Sequence, residues 1–257
     1  MLTRILFATT LAALPLLAAS SGSAGQATAV AVSPEGHLIT NRHAVDDCDA
    51  LGVQASSYVR DDAPVRPAQL VATSDEADLA VLQADLRPDA PHAPILVWPD
   101  WHVFVPTPDT RVVQGGFPVK PDLDEDSDLQ GKIQVTFAEV HTIPDRIETL
   151  PHSGVMAAAT SYGGSGSGVF TSQGYLVGLV YAGGTDELTR RLQRSDAWPE
   201  NPMGPPVVYH TLTPIARFMD ANDVPLTAHR TDKARDLAGN SPVHGWVIAV
   251  TYKMVCR

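Results

Sequence analysis

The sequence is short of basic residues, of long helical repeats and of long apolar runs, and each shortage excludes a class of protein. Its 18 Lys and Arg residues are outnumbered by 29 Asp and Glu residues, giving a net charge of −11 that argues against nucleic acid or anionic lipid as a partner. Stretches with a 3.6-residue apolar period are few, which excludes a helical bundle. No uninterrupted apolar run reaches the length of about 18 residues that a membrane-spanning helix needs.

What the sequence does contain favours a β protein. The 257 residues include 21 prolines and 19 glycines, and 44% of them are hydrophobic. Short apolar runs bounded by proline, aspartate or serine recur along the chain, as expected of strands joined by turns. Enough apolar side chains are present for a packed core, which excludes disorder of the bulk. We therefore expect an all-β fold.

The first 24 residues have the pattern of a signal peptide. Arg4 supplies a positive start, residues 5–19 are apolar, and residues 20–24 are small. We expect cleavage after Ala24 or Ala19, and hence a secreted or periplasmic protein with no stable membrane insertion after cleavage. A retained membrane anchor is the alternative.

The chain has two cysteines, Cys48 and Cys256, which form an even pair. In an oxidising compartment they would form a disulfide that ties the last strand to the loop after His43. Two free, buried thiols are the alternative.

Prolines are concentrated between Arg87 and Thr110, where no central strand could accommodate them. This linker divides the chain into an N-terminal β domain at residues 25–100, a second β domain at 101–224 and an extension at 225–257. The first domain would carry the histidine and aspartate discussed below, and the second would carry the serine.

The C-terminal part is expected to contain the few helices of the protein. An amphipathic helix begins near Thr213 and Pro214 and packs its apolar side on the sheet. A second short helix is expected at residues 231–239 and a final strand at 246–255.

Three separated segments carry the side chains of an activated serine nucleophile. His43 follows a strand pattern, Asp78 precedes a buried strand pattern, and Ser165 lies in the glycine-rich segment Gly163–Gly168. A serine hydroxyl needs an imidazole to accept its proton, and the imidazole needs a carboxylate to fix its tautomer. We therefore assign His43 as the general base, Asp78 as the orienting carboxylate and Ser165 as the nucleophile.

Rival candidates exist for two of these roles. Asp75 is the substitute for Asp78, and Ser167 is the rival nucleophile, disfavoured because it stands further from the glycine pair. The glycines leave the backbone free to point successive N–H groups at one position, and we expect the amides of Gly163 and Ser165 to form the oxyanion hole. A flexible glycine–serine loop is the alternative for this segment.

The order of the three residues is also informative. His before Asp before Ser is the chymotrypsin order, and it differs from the orders of subtilisins and α/β-hydrolases. The segments resemble the catalytic blocks of trypsin-like serine peptidases, in particular of bacterial HtrA-like and glutamyl-endopeptidase-like members without a PDZ domain. The resembling catalytic blocks are Gly36–Val45, Asp78–Leu82 and Gly163–Val169, and Gly115–Pro118 and Tyr175–Leu179 resemble recurring strands of that group.

The resemblance covers residues 26–224 or so and implies the fold and the reaction. The implied fold has two antiparallel six-stranded β-barrels with the catalytic residues in the cleft between them. The residue pattern adds the short C-terminal helix and the terminal strand extension described above. Little chain precedes Thr28, so the first barrel is expected to lack a strand or to recruit leader residues. Too few residues follow Asn222 for a PDZ domain.

By the same resemblance, one group of residues forms the substrate pocket. Its base is Ala159 and Thr160, and its wall is Val180, Tyr181, Ala182 and Gly183. No acidic side chain stands at Ala159 to bind Lys or Arg, which favours small or apolar residues before the cleaved bond. An acidic stretch at residues 122–128 lacks the glycine and final glutamate of a calcium loop, so we expect a solvated loop and no metal site.

The sequence thus predicts an exported serine endopeptidase that hydrolyses polypeptides through an acyl-enzyme and needs no cofactor. One alternative is a non-catalytic exported module that binds peptides in the same cleft. Another is an esterase on a different fold, which would hydrolyse small esters without cleaving proteins.

Overall fold

The computed structural model describes residues 26–56, 63–97, 103–108, 110–117, 132–141, 153–158, 164–183, 194, 198, 202, 204–230 and 243–257. Most of these residues lie in strands. In chain order the strands are β1 (Gln26–Ala31), β2 (His37–Asn41), β3 (Leu51–Ala55), β4 (Arg66–Ser74), β5 (Leu79–Ala84), β6 (Ile95–Val97), β7 (Arg111–Gly116), β8 (Gln134–His141), β9 (Ser153–Ala157), β10 (Gly168–Phe170), β11 (Leu176–Gly183), β12 (Pro206–Thr211), β13 (Ala228–Arg230) and β14 (Thr251–Cys256). The α-helices are α1 (Leu212–Ala221) and α2 (Val243–Val250).

Six antiparallel strands close the first barrel in the order β1, β14, β3, β4, β5 and β2. Its interior is filled mainly by small and aliphatic side chains, among them Ala29, Leu38, Val53, Leu82 and Met254, all fully buried. Small residues suit a six-stranded barrel because its interior is narrow and must be packed without voids.

The strand that completes this barrel comes from the C-terminus. β14 pairs with β1 on one side, where Tyr252 faces Ala29, and with β3 on the other, where it faces Ala55. The expectation of a missing strand or a recruited leader is therefore wrong, and the predicted extension at 225–257 contains a strand of the first barrel. A disulfide joins Cys48 to Cys256, with the two Cα atoms 5.1 Å apart, as one of the two cysteine alternatives predicted.

The second barrel runs in the order β10, β7, β8, β9, β12 and β11 and is closed by pairing between β11 and β10. Strands β6 and β13 extend its sheet beyond β11 in parallel. Tyr209 fills the barrel interior and lies over Gly154 and Gly178, where a Cβ atom would come within 2.3 and 2.5 Å of neighbouring atoms. The predicted all-β fold with two six-stranded antiparallel barrels is confirmed.

The helices lie against the barrels and contribute to a third apolar cluster between them. Helix α1 buries Leu212, Ile215, Phe218 and Met219, as its predicted amphipathic pattern required. Residues 246–250, predicted as strand, belong instead to α2, because a continuous apolar run is compatible with either structure when it is buried. The predicted helix at 231–239 lies outside the described residues. Within the described part of the chain, no helix is both long and apolar enough to cross a membrane.

Candidate active site

His43 lies directly after β2, in a single 3-10 turn at Arg42–Ala44. Its ring Nδ1 lies 2.6 Å from Oδ2 of Asp78, and its backbone N–H donates to Oδ1 of the same carboxylate at 2.9 Å. Both carboxylate oxygens are therefore held by one residue. Since an ionised carboxylate only accepts hydrogen bonds, Nδ1 carries the proton in the neutral ring and Nε2 is left as the basic nitrogen. The His43 side chain is 47% exposed and the Asp78 side chain 17%.

Strand pairing brings these two residues together. Strand β2 pairs with β5 so that Asn41 faces Leu79, which places the residues just beyond these ends side by side. The backbone of Asp78 has a positive φ of 47°, and its carbonyl accepts hydrogen bonds from the Arg42 amide at 3.1 Å and the Asn41 side chain at 3.3 Å. These bonds hold a backbone conformation that is unfavourable for most residues other than glycine.

The rival carboxylate, Asp75, is elsewhere. It lies 3.1 Å from Arg42 in an ion pair, and its side chain is 85% exposed. The geometry thus gives His43 a single described carboxylate partner, which is Asp78.

The environment of Asp78 favours its ionised form. Burial acts to raise the pKa of the carboxyl group, but the hydrogen bonds from the ring and backbone of His43 and the positive charge of His43 outweigh it. A positive charge on His210 would act in the same direction, but burial keeps that ring neutral at neutral pH. The pKa of Asp78 is therefore below its ordinary value, so the group is a carboxylate at neutral pH.

Ser165 lies in a tight turn between the two barrels. The Ser167 amide donates to the Gly164 carbonyl at 3.0 Å, and Gly166 has a φ of +80°. A Cβ atom on Gly166 would lie only 1.9 Å from the carbonyl oxygen of Thr28, so glycine is required here for space as well as for conformation. The turn is fixed on the first barrel because the Thr28 amide donates to the Ser165 carbonyl at 3.0 Å.

The surroundings of the two candidate serines differ. Ser167 is fully buried, its hydroxyl oxygen has no hydrogen-bond partner among the described residues, and a Cβ atom on Gly116 would lie 1.7 Å from it. Ser165 is only partly buried. Its amide N–H donates to no carbonyl of the described residues, whereas the next amide, of Gly166, donates to Val180 at 2.9 Å.

One residue of the first barrel connects the serine turn to β2, the strand that precedes His43. The Thr28 carbonyl accepts a hydrogen bond from the Thr40 hydroxyl at 2.7 Å, while the Thr28 amide binds Ser165. Thr40 lies on β2, three positions before His43. The side chains of His43 and Ser165 are not hydrogen-bonded to each other in this structure, and a catalytic bond of this kind commonly forms only when substrate is present.

The predicted substrate pocket is described in part. Val180 and Tyr181 lie on β11, where Val180 is buried in the second barrel and the ring of Tyr181 lies edge-on to His43 with centroids 6.3 Å apart. Ala182 and Gly183 end the same strand. The pocket base, Ala159 and Thr160, and the first predicted oxyanion donor, Gly163, lie outside the described residues, as does the acidic stretch at 122–128.

His210 is a member of this site that sequence reasoning missed. It lies on β12, a strand that was not expected, and its ring contacts that of Tyr181 edge-on at 5.0 Å. Burial lowers its pKa to about 4, the nearby charge of Asp78 opposing that shift and the charge of His43 adding to it. A histidine within a run of buried β-branched residues was the available signal, but its contacts depend on strand pairing that the run does not reveal.

Known proteins share the fold of this chain. The sequence family described as trypsin-like peptidase domain matches residues 27–179, and none of the curated proteins matches the chain. Among solved structures, the chain is similar to the HtrA-type protease AlgW with a decapeptide, with a TM-score of 0.55 and 21% identity over 77% of this chain and 51% of that chain. The chain therefore spans about half the length of the AlgW chain.

Two further structures are similar to this chain. The MamO protease domain from Magnetospirillum magneticum has a TM-score of 0.52 and 19% identity, covering 77% of this chain and 90% of that one. The serine endoprotease from Yersinia pestis has a TM-score of 0.53 and 20% identity, covering 76% and 57%. These structures support the fold, and the family match confirms the resemblance to trypsin-like peptidases predicted from the sequence.

Proposed function

Because the chain belongs to the trypsin-like peptidase family, we propose that it is an exported serine endopeptidase whose nucleophile is Ser165, activated by His43 and oriented by Asp78. The observation that carries this proposal is the double hydrogen bond from His43 to the Asp78 carboxylate. That arrangement fixes the ring, sets its tautomer and leaves Nε2 free to accept a proton.

The reaction follows from these groups. The Ser165 Oγ attacks the carbonyl carbon of the scissile peptide while its proton passes to Nε2 of His43. Asp78 stabilises the imidazolium that results, and the amides of Gly163 and Ser165 donate to the oxyanion. The imidazolium then gives its proton to the leaving amine. A water molecule, deprotonated by the same ring, hydrolyses the acyl-enzyme and regenerates Ser165.

The surroundings of the two serines support Ser165 as the nucleophile. Ser165 is partly exposed on a turn that is fixed by hydrogen bonds to Thr28 and Val180, whereas Ser167 is sealed between Gly116 and β1. A rigid scaffold around an accessible hydroxyl is what acyl transfer requires. Export is supported by the leader pattern of the sequence and by the Cys48–Cys256 disulfide, since disulfides persist mainly in oxidising compartments.

Hydrolysis of a peptide library by the purified protein tests the proposal. We expect cleavage with the wild type and with Ser167→Ala, which removes a buried hydroxyl without a described partner. We expect none with Ser165→Ala. Binding of peptides without cleavage by the wild type would instead favour the peptide-binding alternative, and cleavage of esters alone would favour an esterase.

A further inference from the structure

Three aromatic rings from different segments form a chain of contacts that begins at His43. The ring of His43 meets that of Tyr181 edge-on at 6.3 Å, and Tyr181 meets that of His210 edge-on at 5.0 Å. Aromatic pairs prefer such edge-to-face arrangements at these distances. His210 thus supports, from within the protein, the ring that lies beside the catalytic base.

The alternation of side chains along two paired strands explains why His210 faces this way. Tyr209 and Val180 pair with each other and point into the core of the second barrel. His210, the next residue on β12, must therefore point to the opposite face of the sheet. Tyr181 is the bulged residue of β11, between Val180 and Ala182, and its ring contact with His210 places it on that face as well. On that face His210 is close enough to the first barrel for the charges of Asp78 and His43 to act on it.

Burial keeps this second imidazole neutral. His210 is 5% exposed, its Nε2 has no hydrogen-bond partner among the described residues, and its pKa is lowered to about 4. Asp78 and His43 are the described titratable groups whose charges act on it, the ring of Tyr181 contacts it, and Ser153 lies opposite it on β9. A cation at this position would compete with His43 for the Asp78 carboxylate. A neutral ring leaves that carboxylate to His43 alone.

We propose that His210 is a positioning residue of the His43–Asp78 pair, a buried ring that holds Tyr181 against His43 and so fixes the orientation of the base. The proposal rests on the proposed function for its effect on turnover, but the orientation of His43 is also measurable without turnover. Without the His210 ring, the Tyr181 ring could move away from His43, and the His43 ring could then rotate away from Asp78. Misplacement of a catalytic group by as little as 1 Å can cost on the order of 100-fold in rate.

Three variants separate positioning from general packing. His210→Ala removes the ring, His210→Phe restores a neutral ring of similar shape, and Tyr209→Phe is the control on the same strand facing the other way. We expect kcat of His210→Ala to fall roughly 10- to 100-fold while KM changes less than twofold. We expect His210→Phe to recover most of kcat and Tyr209→Phe to retain it. Should His210→Ala not fold, His210→Leu takes its place with the same expected result.

Proton NMR at pH 7 supplies the readout that simple destabilisation would not move. The low-field Nδ1 proton of His43, bonded to Asp78, should be present in the wild type, His210→Phe and Tyr209→Phe, and should broaden or disappear in folded His210→Ala. An unchanged resonance together with an unchanged kcat in His210→Ala would overturn the proposal, as would His210→Phe being as impaired as His210→Ala. A wild type without peptidase activity would refute the proposed function, and the NMR comparison would still decide the role of His210.

Discussion

Removing the Cys48–Cys256 disulfide should lower the free energy of unfolding by about 5 kcal/mol. The two residues are 208 positions apart in the sequence, and cross-linking a loop of that length restricts the unfolded chain by about that amount in the chain-entropy account. The bond also fixes the end of β14, which lies between β1 and β3 in the first barrel. A loss of this size is a large fraction of the total stability of a typical domain, about 5–15 kcal/mol.

Equilibrium unfolding in urea measures this loss. We would compare the wild type with the double variant Cys48→Ser/Cys256→Ser, each with and without reductant. Reductant should destabilise the wild type to the level of the double variant and should leave the double variant unchanged. A difference below about 1 kcal/mol between the oxidised wild type and the double variant would refute the reasoning, because it would mean that the unfolded chain gains little freedom when the bond is absent.

Three other changes have definite expected results. Asp78→Asn should lower kcat roughly 1,000- to 10,000-fold in steady-state peptide hydrolysis, because an amide facing His43 favours the wrong tautomer; a loss below tenfold would contradict this role. The pKa of His210 is lowered from 6.5 to about 4, so as the pH falls the unfolded chain binds a proton at this residue before the folded protein does. The contribution of His210 to the free energy of unfolding should therefore fall by about 3 kcal/mol between pH 6.5 and 4. Unfolding measured across that range should show a smaller fall in His210→Gln, and equal falls would count against the assignment. Gly166→Ala should cost about 3 kcal/mol or more by denaturant unfolding, since its Cβ would overlap the Thr28 carbonyl; a neutral result would contradict the geometry of the turn.

The features that could be predicted from the sequence are those with a local signal. The assignment of strands before His43 and after Asp78 needed only short patterns of apolar residues, and these strands are present as β2 and β5. Their pairing then produces the contact between the two side chains. The amphipathic helix α1 was predictable for the same reason, because its apolar residues recur at helical spacing.

The features that could not be predicted depend on pairing between distant segments. Nothing local in residues 251–256 indicates that they complete a barrel begun more than 200 residues earlier, since strand order is set by long-range packing. The continuous apolar run at 246–250 has no period that distinguishes a buried helix from a strand. His210 became part of the site only through the register of β12 against β11.

The most direct measurement of the central claim is the position at which an active-site serine phosphonylating probe labels the folded protein, mapped by mass spectrometry. The account predicts a single label on Ser165 in the wild type and in Ser167→Ala, and none in Ser165→Ala. A label on Ser167 or on another residue, or no label on the folded wild type at any pH where His43 is neutral, would contradict it.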